Sequence, residues 1–197
     1  MEEILPSVYG RGYFMDGKGS NYKNYNPSGI MITIARHMNK IFRMTNLLEI
    51  GCAYGHLVGY LHAPLGVGID ISKFTTEKRV IPNYINSSAS HLPFKDNTFD
   101  MVVSIETVEH LTEAQVMDCF DEVERIGSKW FMFTSPGPNP NLKDDLDITH
   151  INCKEPEEWF RIGEERGWKL DQAKIRYFQR TRIHKHFRWA MYIYCIK

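Results

Sequence analysis

The sequence predicts an α/β fold, a doubly wound sheet of buried parallel strands with helices on both faces. Three observations carry this expectation. The stretch 46–72, NLLEIGCAYGHLVGYLHAPLGVGIDIS, reads as strand, glycine-bearing turn, helix and second strand ending on an acidic residue. The run 99–105, FDMVVSI, has the length and near-continuous apolar character of a strand covered on both faces. Amphipathic helical periods recur between such runs, over 30–42 and 114–126, as connections between parallel strands require.

The chain has 197 residues, enough for one sizeable core, so a single domain is expected. Residues 1–45 form an N-terminal lid and helix of that domain, and 46–197 form its core. Lys plus Arg and Asp plus Glu both number 24, so no global field favours nucleic acid or an anionic membrane. A small or neutral substrate fits this balance better. Cys52, Cys119, Cys153 and Cys195 are scattered without a C-x-x-C pair, which argues against a structural zinc or a disulfide framework. With no signal peptide and no apolar run of spanning length, the expected location is the cytoplasm.

Val8 to Pro27 is rich in Gly, Tyr and Asn without a period of either kind, and reads as an ordered loop or lid. Tyr9, Tyr13, Phe14, Tyr22 and Tyr25 either cover a pocket, where aromatic faces would suit a cation, or pack the arm onto the domain. Ile30, Ile34, Met38, Ile41 and Phe42 then recur at helical spacing, giving an amphipathic helix before the first strand.

In the 46–72 unit, Leu47, Leu48 and Ile50 are strand residues around Glu49. Gly51, Ala53 and Gly55 alternate where the backbone must bend and admit a ligand, and Cys52 lies between them. The following helix, from about Tyr54, turns its first amides toward this loop. Val67, Gly68 and Ile69 lead to Asp70, with Ile71 next. A carboxylate at that strand end suits a ribose diol. The loop G-C-A-Y-G lacks the G-x-G-x-x-G spacing of dinucleotide-binding proteins.

A short helix is expected from Lys73 to Arg79 and a third strand from Tyr84 to Asn86, followed by NSSASHLPF. His91 is read as a surface residue of that loop. Then LPFKDNTFDMVVSIETVEHL, 92–111, supplies a turn at Asp96 and Asn97, the fourth strand from Phe99 to Ile105, and Glu106 at the crossing to a helix. Ser104, Ile105 and Glu106 stand at the carboxyl end of a strand beside the first, where ligands bind in doubly wound sheets.

These two motifs carry a resemblance. The 49–55 loop resembles the E-x-G-x-G-x-G loop of class I S-adenosylmethionine-dependent methyltransferases, with Ala53 at the middle glycine. The 92–111 run resembles the L-P-F-x-D-x-x-F-D-x-V-x-S-x-x-x-x-E-H-L run of the Methyltransferase-11 type nearly position for position. The resemblance covers roughly 46–136. It implies a Rossmann-like sheet of seven strands, mostly parallel with an antiparallel last strand, and S-adenosylmethionine as cofactor with S-adenosylhomocysteine as product. It further implies that Glu49, Gly51, Cys52, Ala53 and Gly55 surround the methionine part and that Asp70 and Ile71 take the ribose. Ser88 and Ala89 stand where the family has an acidic and a small residue for adenine, and Ser104, Ile105 and Glu106 are expected to line the methyl-transfer pocket, Glu106 as a catalytic candidate. Serine keeps one hydrogen bond there but loses the carboxylate's stronger acceptor. Glu109 and His110 are expected family residues, with His110 either supporting the fold or acting in catalysis.

Ala114 to Ile126 is the next helix, and Lys129 to Thr134 a fifth strand stopped by Ser135-Pro136-Gly137-Pro138. In the polar stretch that follows, Asp147, Thr149 and His150 resemble a D-x-T-H element that often precedes a helix ending in Gly-Trp, here Gly167 and Trp168. His150 is then the first candidate general base and His110 the second, since histidine titrates nearest neutral pH. Alternatively, Asp147 and His150 only pin the loop. A metal site from Asp144, Asp145, Asp147 and His150 is weakly indicated, and no metal is assigned. Lys174 to Gln179 and Trp189 to Ile196 alternate as the last two strands, joined by the basic loop 180–188.

The expected activity is in-line methyl transfer to a small-molecule or sugar-type acceptor, at oxygen. Two alternatives remain: a silent cofactor-binding or regulatory module, and an enzyme using the same cofactor for chemistry other than methylation.

Overall fold

The structure, a computed structural model, describes residues 2–20, 22–138, 147–181, 183 and 189–197. A 3-10 turn (Pro6–Val8), α1 (Arg11–Asp16) and α2 (Ser28–Ile41) precede β1 (Asn46–Ile50). The core continues with α3 (His56–Tyr60), β2 (Leu65–Asp70), α4 (Lys73–Glu77), β3 (Tyr84–Asn86) and β4 (Phe99–Ile105). A second 3-10 turn (Val108–His110) leads to α5 (Glu113–Ile126) and β5 (Gly127–Pro136), then α6 (Pro156–Glu165), β6 (Lys169–Leu170), α7 (Gln172–Gln179) and β7 (Trp189–Cys195).

Among the described residues the strands form one seven-stranded sheet ordered β3-β2-β1-β4-β5-β7-β6. Strands β1 to β5 pair in parallel, and β7 runs antiparallel to both β5 and β6. The order reverses between β1 and β4, so their carboxyl ends frame the crevice.

Strand residues alternate between two cores. Val102, Phe131, Phe133, Tyr192 and Tyr194 pack with Phe120 and Trp159 of α5 and α6 on one face. Met101, Val103, Met132 and Ile193 pack with Ile34 and Met38 of α2, Leu57 of α3, and Ile175 and Phe178 of α7 on the other. Both faces are covered, which is why β4 and β5 read as continuous apolar runs. Each fully buried large side chain here contributes about 1.5–3 kcal/mol of transfer free energy.

Two expected elements differ. Residues 174–179 are helical, not a strand: the Asp171 carboxylate accepts the Lys174 N–H at 3.0 Å as an N-cap, and Ile175 and Phe178 are buried one turn apart. A three-residue spacing outweighed an apparent alternation, and the sixth strand is the short Lys169–Leu170 pair, whose Leu170 sits opposite Tyr194. The N-terminal lid contains the six-residue α1, which is too short to show a period, begins after Gly10 and ends at Gly17 in a left-handed cap. The basic loop expected at 180–188 lies largely outside the described residues, as do Asp144 and Asp145.

Candidate active site

The turn after β1 is held by β2. Gly51 has φ +70°, and a Cβ there would stand 2.1 Å from Thr107 Oγ1. The bare backbone thus accommodates a neighbouring threonine that nothing in the loop's own spacing announced. Ala53 adopts φ +47°, a left-handed conformation costly for a residue with a Cβ. Its N–H donates to Asp70 Oδ2 at 2.8 Å and the Ser72 N–H donates to Oδ1 at 2.8 Å, while the Tyr84 hydroxyl donates to the Ala53 carbonyl at 3.0 Å. Burial raises the Asp70 carboxyl above its ordinary range, against those N–H donors. The Glu49 carboxylate accepts the Val58 N–H at 3.3 Å, and Gly55, at φ +82°, caps α3 and donates to the Cys52 carbonyl at 2.7 Å. The amides expected to face a ligand are therefore partly committed, Ala53 to Asp70 and Val58 to Glu49.

A cavity of about 390 Å³ opens at the carboxyl ends of β1, β2 and β4. Its size lies within the range of about 300–1,000 Å³ usual for small-molecule sites. Of the residues expected to bind cofactor, Gly51, Ala53, Asp70, Ile71, Ser88, Ala89 and Ile105 line it. Glu49, Cys52, Gly55 and Ser104 stand one layer behind. Ser88 accepts the Ser90 N–H at 3.2 Å, so its hydroxyl also holds its own turn. The LPF loop beyond it is stapled to α5. Arg125 donates to the carbonyls of Leu92 and Phe94, and Glu122, which accepts the Leu92 N–H at 2.6 Å, is held below the ordinary carboxylate range chiefly by its Arg125 hydrogen bonds.

At the other end of the cavity stand Glu106, Thr107, His110, Asp147 and His150. Glu106, at φ +51°, donates its N–H to Thr134 Oγ1 at 3.1 Å and accepts that hydroxyl's proton at 2.8 Å. Strained backbone of this kind persists where packing over-determines it, commonly at functional sites. The Glu109 carbonyl accepts the N–H groups of Ile151 and Asn152 at 3.0 and 2.9 Å, which brings the loop carrying His150 against the Val108–His110 turn.

Thr149 then joins two residues expected to act separately. Its hydroxyl donates to Asp147 Oδ1 at 2.6 Å and lies 2.7 Å from His110 Nδ1, whose distance to the Thr149 carbonyl is 3.2 Å. The hydroxyl has one proton and gives it to Asp147, so His110 Nδ1 must be the donor. Neutral His110 accordingly carries its lone pair on Nε2. The rings of His110 and His150 lie 4.9 Å apart, and His150 Nε2 is 3.8 Å from Asp147 Oδ2. Tyr13 completes the group, donating to Asp147 Oδ2 at 2.7 Å. Tyr9, Tyr13, Phe14, Tyr22 and Tyr25 all line the cavity, and Tyr13 and Phe14 pack on Ala53, so the aromatic segment both covers the site and braces its loop. Burial raises the phenols of Tyr9, Tyr13, Tyr22 and Tyr25, keeping them neutral.

A doubly wound sheet with a cavity at its switch point defines the class: an α/β protein whose cavity lies where ligands bind in such sheets. The model of the methyltransferase-domain family matches residues 48–129, less than half of the chain. The chain is 31% identical over 81 residues to uncharacterized protein MJ0638 of Methanocaldococcus jannaschii, a match covering 41% of this chain and 35% of that protein; it thus spans about a third of its relative's length. Two solved structures share the fold. One is a SAM-dependent methyltransferase from Archaeoglobus fulgidus, with 18% identity, 87% and 95% of the two chains covered and a TM-score of 0.65. The other is PH0226 protein from Pyrococcus horikoshii, with 16% identity, 96% and 97% covered and a TM-score of 0.62. S-adenosylmethionine is the cofactor this domain implies, and the cavity's Asp70, the small residues Gly51 and Ala53, and the Ser88-Ala89 pair fit it. Among the described residues no helix is long and apolar enough to cross a membrane.

Proposed function

We propose that the protein transfers the methyl group of S-adenosylmethionine to an oxygen of a small-molecule or sugar-type acceptor. One observation carries this reading: a single cavity joins Asp70, Ser88 and Ala89 at one end to Glu106, His110 and His150 at the other. The cofactor supplies an activated methyl group and its own leaving group. Gly51, Cys52, Ala53 and Gly55 frame its methionine part with Glu49 behind them, Asp70 and Ile71 hold the ribose, and Ser88 and Ala89 flank the adenine. Ile105 closes the wall nearest the methyl group, with Ser104 behind it.

The chain's task is to bring the two reactants into line and exclude water, which can supply about 7–11 kcal/mol of the barrier. The aromatic cover of Tyr9, Tyr13 and Tyr22 serves the second purpose. His150, or His110 through Nε2, takes the acceptor's proton, and Glu106 orients the acceptor. In this reading residues 1–45 and 46–197 act as one domain, the acceptor is neither nucleic acid nor membrane, and four free thiols suit the reducing cytoplasm.

The test supplies methyl-labelled S-adenosylmethionine with panels of hydroxyl, amine and carbon acceptors. S-adenosylhomocysteine formed with label in a hydroxyl acceptor is the expected result. Methylthioadenosine as product would assign different chemistry with the same cofactor. Tight binding without turnover on any panel would favour a regulatory module, a reading that rests on Ala53 and Ser88.

A further inference from the structure

We propose that Glu109, His110 and His150 form a site for a divalent first-row transition ion such as zinc at the acceptor end of the cavity. One potential ligand atom from each residue lies within 4.8 Å of the other two. In a tetrahedral site, ligands about 2.1 Å from the ion stand roughly 3.4 Å apart, so binding would draw the most distant pair together by up to about 1.4 Å. The set of two imidazoles and one carboxylate is a known zinc chemistry that leaves a position open.

Two independent observations support an ion here. Glu109 is fully buried, and neither of its carboxylate oxygens has a hydrogen-bond partner of acceptable geometry among the described residues. A buried carboxyl in that condition either stays neutral or takes a cation; Glu106 at its side and Asp147 both add negative potential there, which favours a cation that compensates all three. The second is the setting of His110. Its Nδ1–H is given to Thr149, which fixes the ring and puts the lone pair on Nε2, the arrangement by which outer residues orient a ligating histidine. Asp147 holds that threonine through Oδ1 and stands 3.8 Å from His150 Nε2.

The ion's role, unlike the site itself, rests on the proposed methyl transfer. An acceptor hydroxyl bound at the open position would lose its proton to solvent at a lower pH. Its oxygen lone pair then forms the bond to the methyl carbon while the carbon–sulfur pair leaves with sulfur. The products are a methyl ether, S-adenosylhomocysteine and one proton. With the ion bound the two histidines act on the acceptor through it, and without the ion either would take the acceptor's proton directly.

The test is titration of the chelator-treated protein with cobalt(II), read by its visible ligand-field bands, and with S-adenosylhomocysteine on the same samples. The expected result is one saturable cobalt site per chain, weakened tenfold or more in Glu109→Gln and in His150→Gln, and unchanged in a His91→Ala control on the surface. Should Glu109→Gln fail to fold, His150→Gln decides. No cobalt binding, or binding that survives His150→Gln, would overturn the site. Loss of S-adenosylhomocysteine binding with cobalt retained would overturn the methyltransferase reading and leave the site standing.

Discussion

At the proposed cofactor end of the cavity, Gly51, Ala53 and Asp70 come from one strand-turn-helix-strand unit, and the hydrogen bond that closes it, Ala53 N–H to Asp70, joins residues 17 positions apart. At the acceptor end, Tyr13, His110 and Asp147 come from three segments, and the Tyr13–Asp147 bond joins residues 134 positions apart. Local hydrogen bonding thus shapes the proposed cofactor end, whereas the proposed acceptor wall exists only once the N-terminal arm and the 147–152 loop have docked. The two ends meet where Tyr13 and Phe14 pack on Ala53.

The sharpest way to break the contrast is Gly51→Ala. Its Cβ would collide with Thr107 in a left-handed conformation, so the loss of stability is expected at about 3 kcal/mol, measured by urea unfolding. Equal stability of variant and parent would mean the loop yields and does not fix the cofactor end. Tyr13→Phe addresses the other end. Removing a hydrogen bond to a buried carboxylate should cost about 1.5–3 kcal/mol in unfolding. Binding of S-adenosylhomocysteine should change far less than the acceptor KM, and the reverse pattern would erase the distinction between the ends.

A pH-dependent effect separates the layer behind the loop. Burial holds the Glu49 carboxyl well above its ordinary range, so the folded state keeps a proton that the unfolded chain has released. Stability due to this group is present below the ordinary carboxylate pKa and falls as pH rises from there toward the raised value. Glu49→Gln should flatten that fall, and an unaltered slope in denaturant titrations across pH would show that Glu49 is charged in the fold. The smallest expected change is Ala53→Gly, which relieves the left-handed strain at some cost in chain entropy and should stabilise by about 1 kcal/mol or less. A thermal melt that moves downward would instead give the alanine methyl a packing role against Tyr13 and Phe14.

The same contrast explains what could be read from the sequence. The β1–β2 unit and the 92–111 run were legible because strand length, glycine placement and the terminal acid are local signals. The helix at 172–179 was misread because a short apolar spacing fits either period until the N-cap of Asp171 is recognised. Thr107 behind Gly51 carries no sequence signature, and although Thr149 and Glu109 fall in recognisable motifs, the bonding of Thr149 to both Asp147 and His110 and the full burial of Glu109 depend on surroundings that only the fold brings. His110 and His150 were both legible as candidates, but their adjacency was not: it depends on the Glu109 carbonyl bonding Ile151 and Asn152.

The most direct measurement is calorimetric titration of the protein and of Asp70→Ala with S-adenosylhomocysteine. The account predicts micromolar binding to the parent, weakened tenfold or more in the variant, which loses both the ribose acceptor and the anchor of the Ala53 N–H. Absence of binding to the parent, or equal affinity in Asp70→Ala, would contradict it.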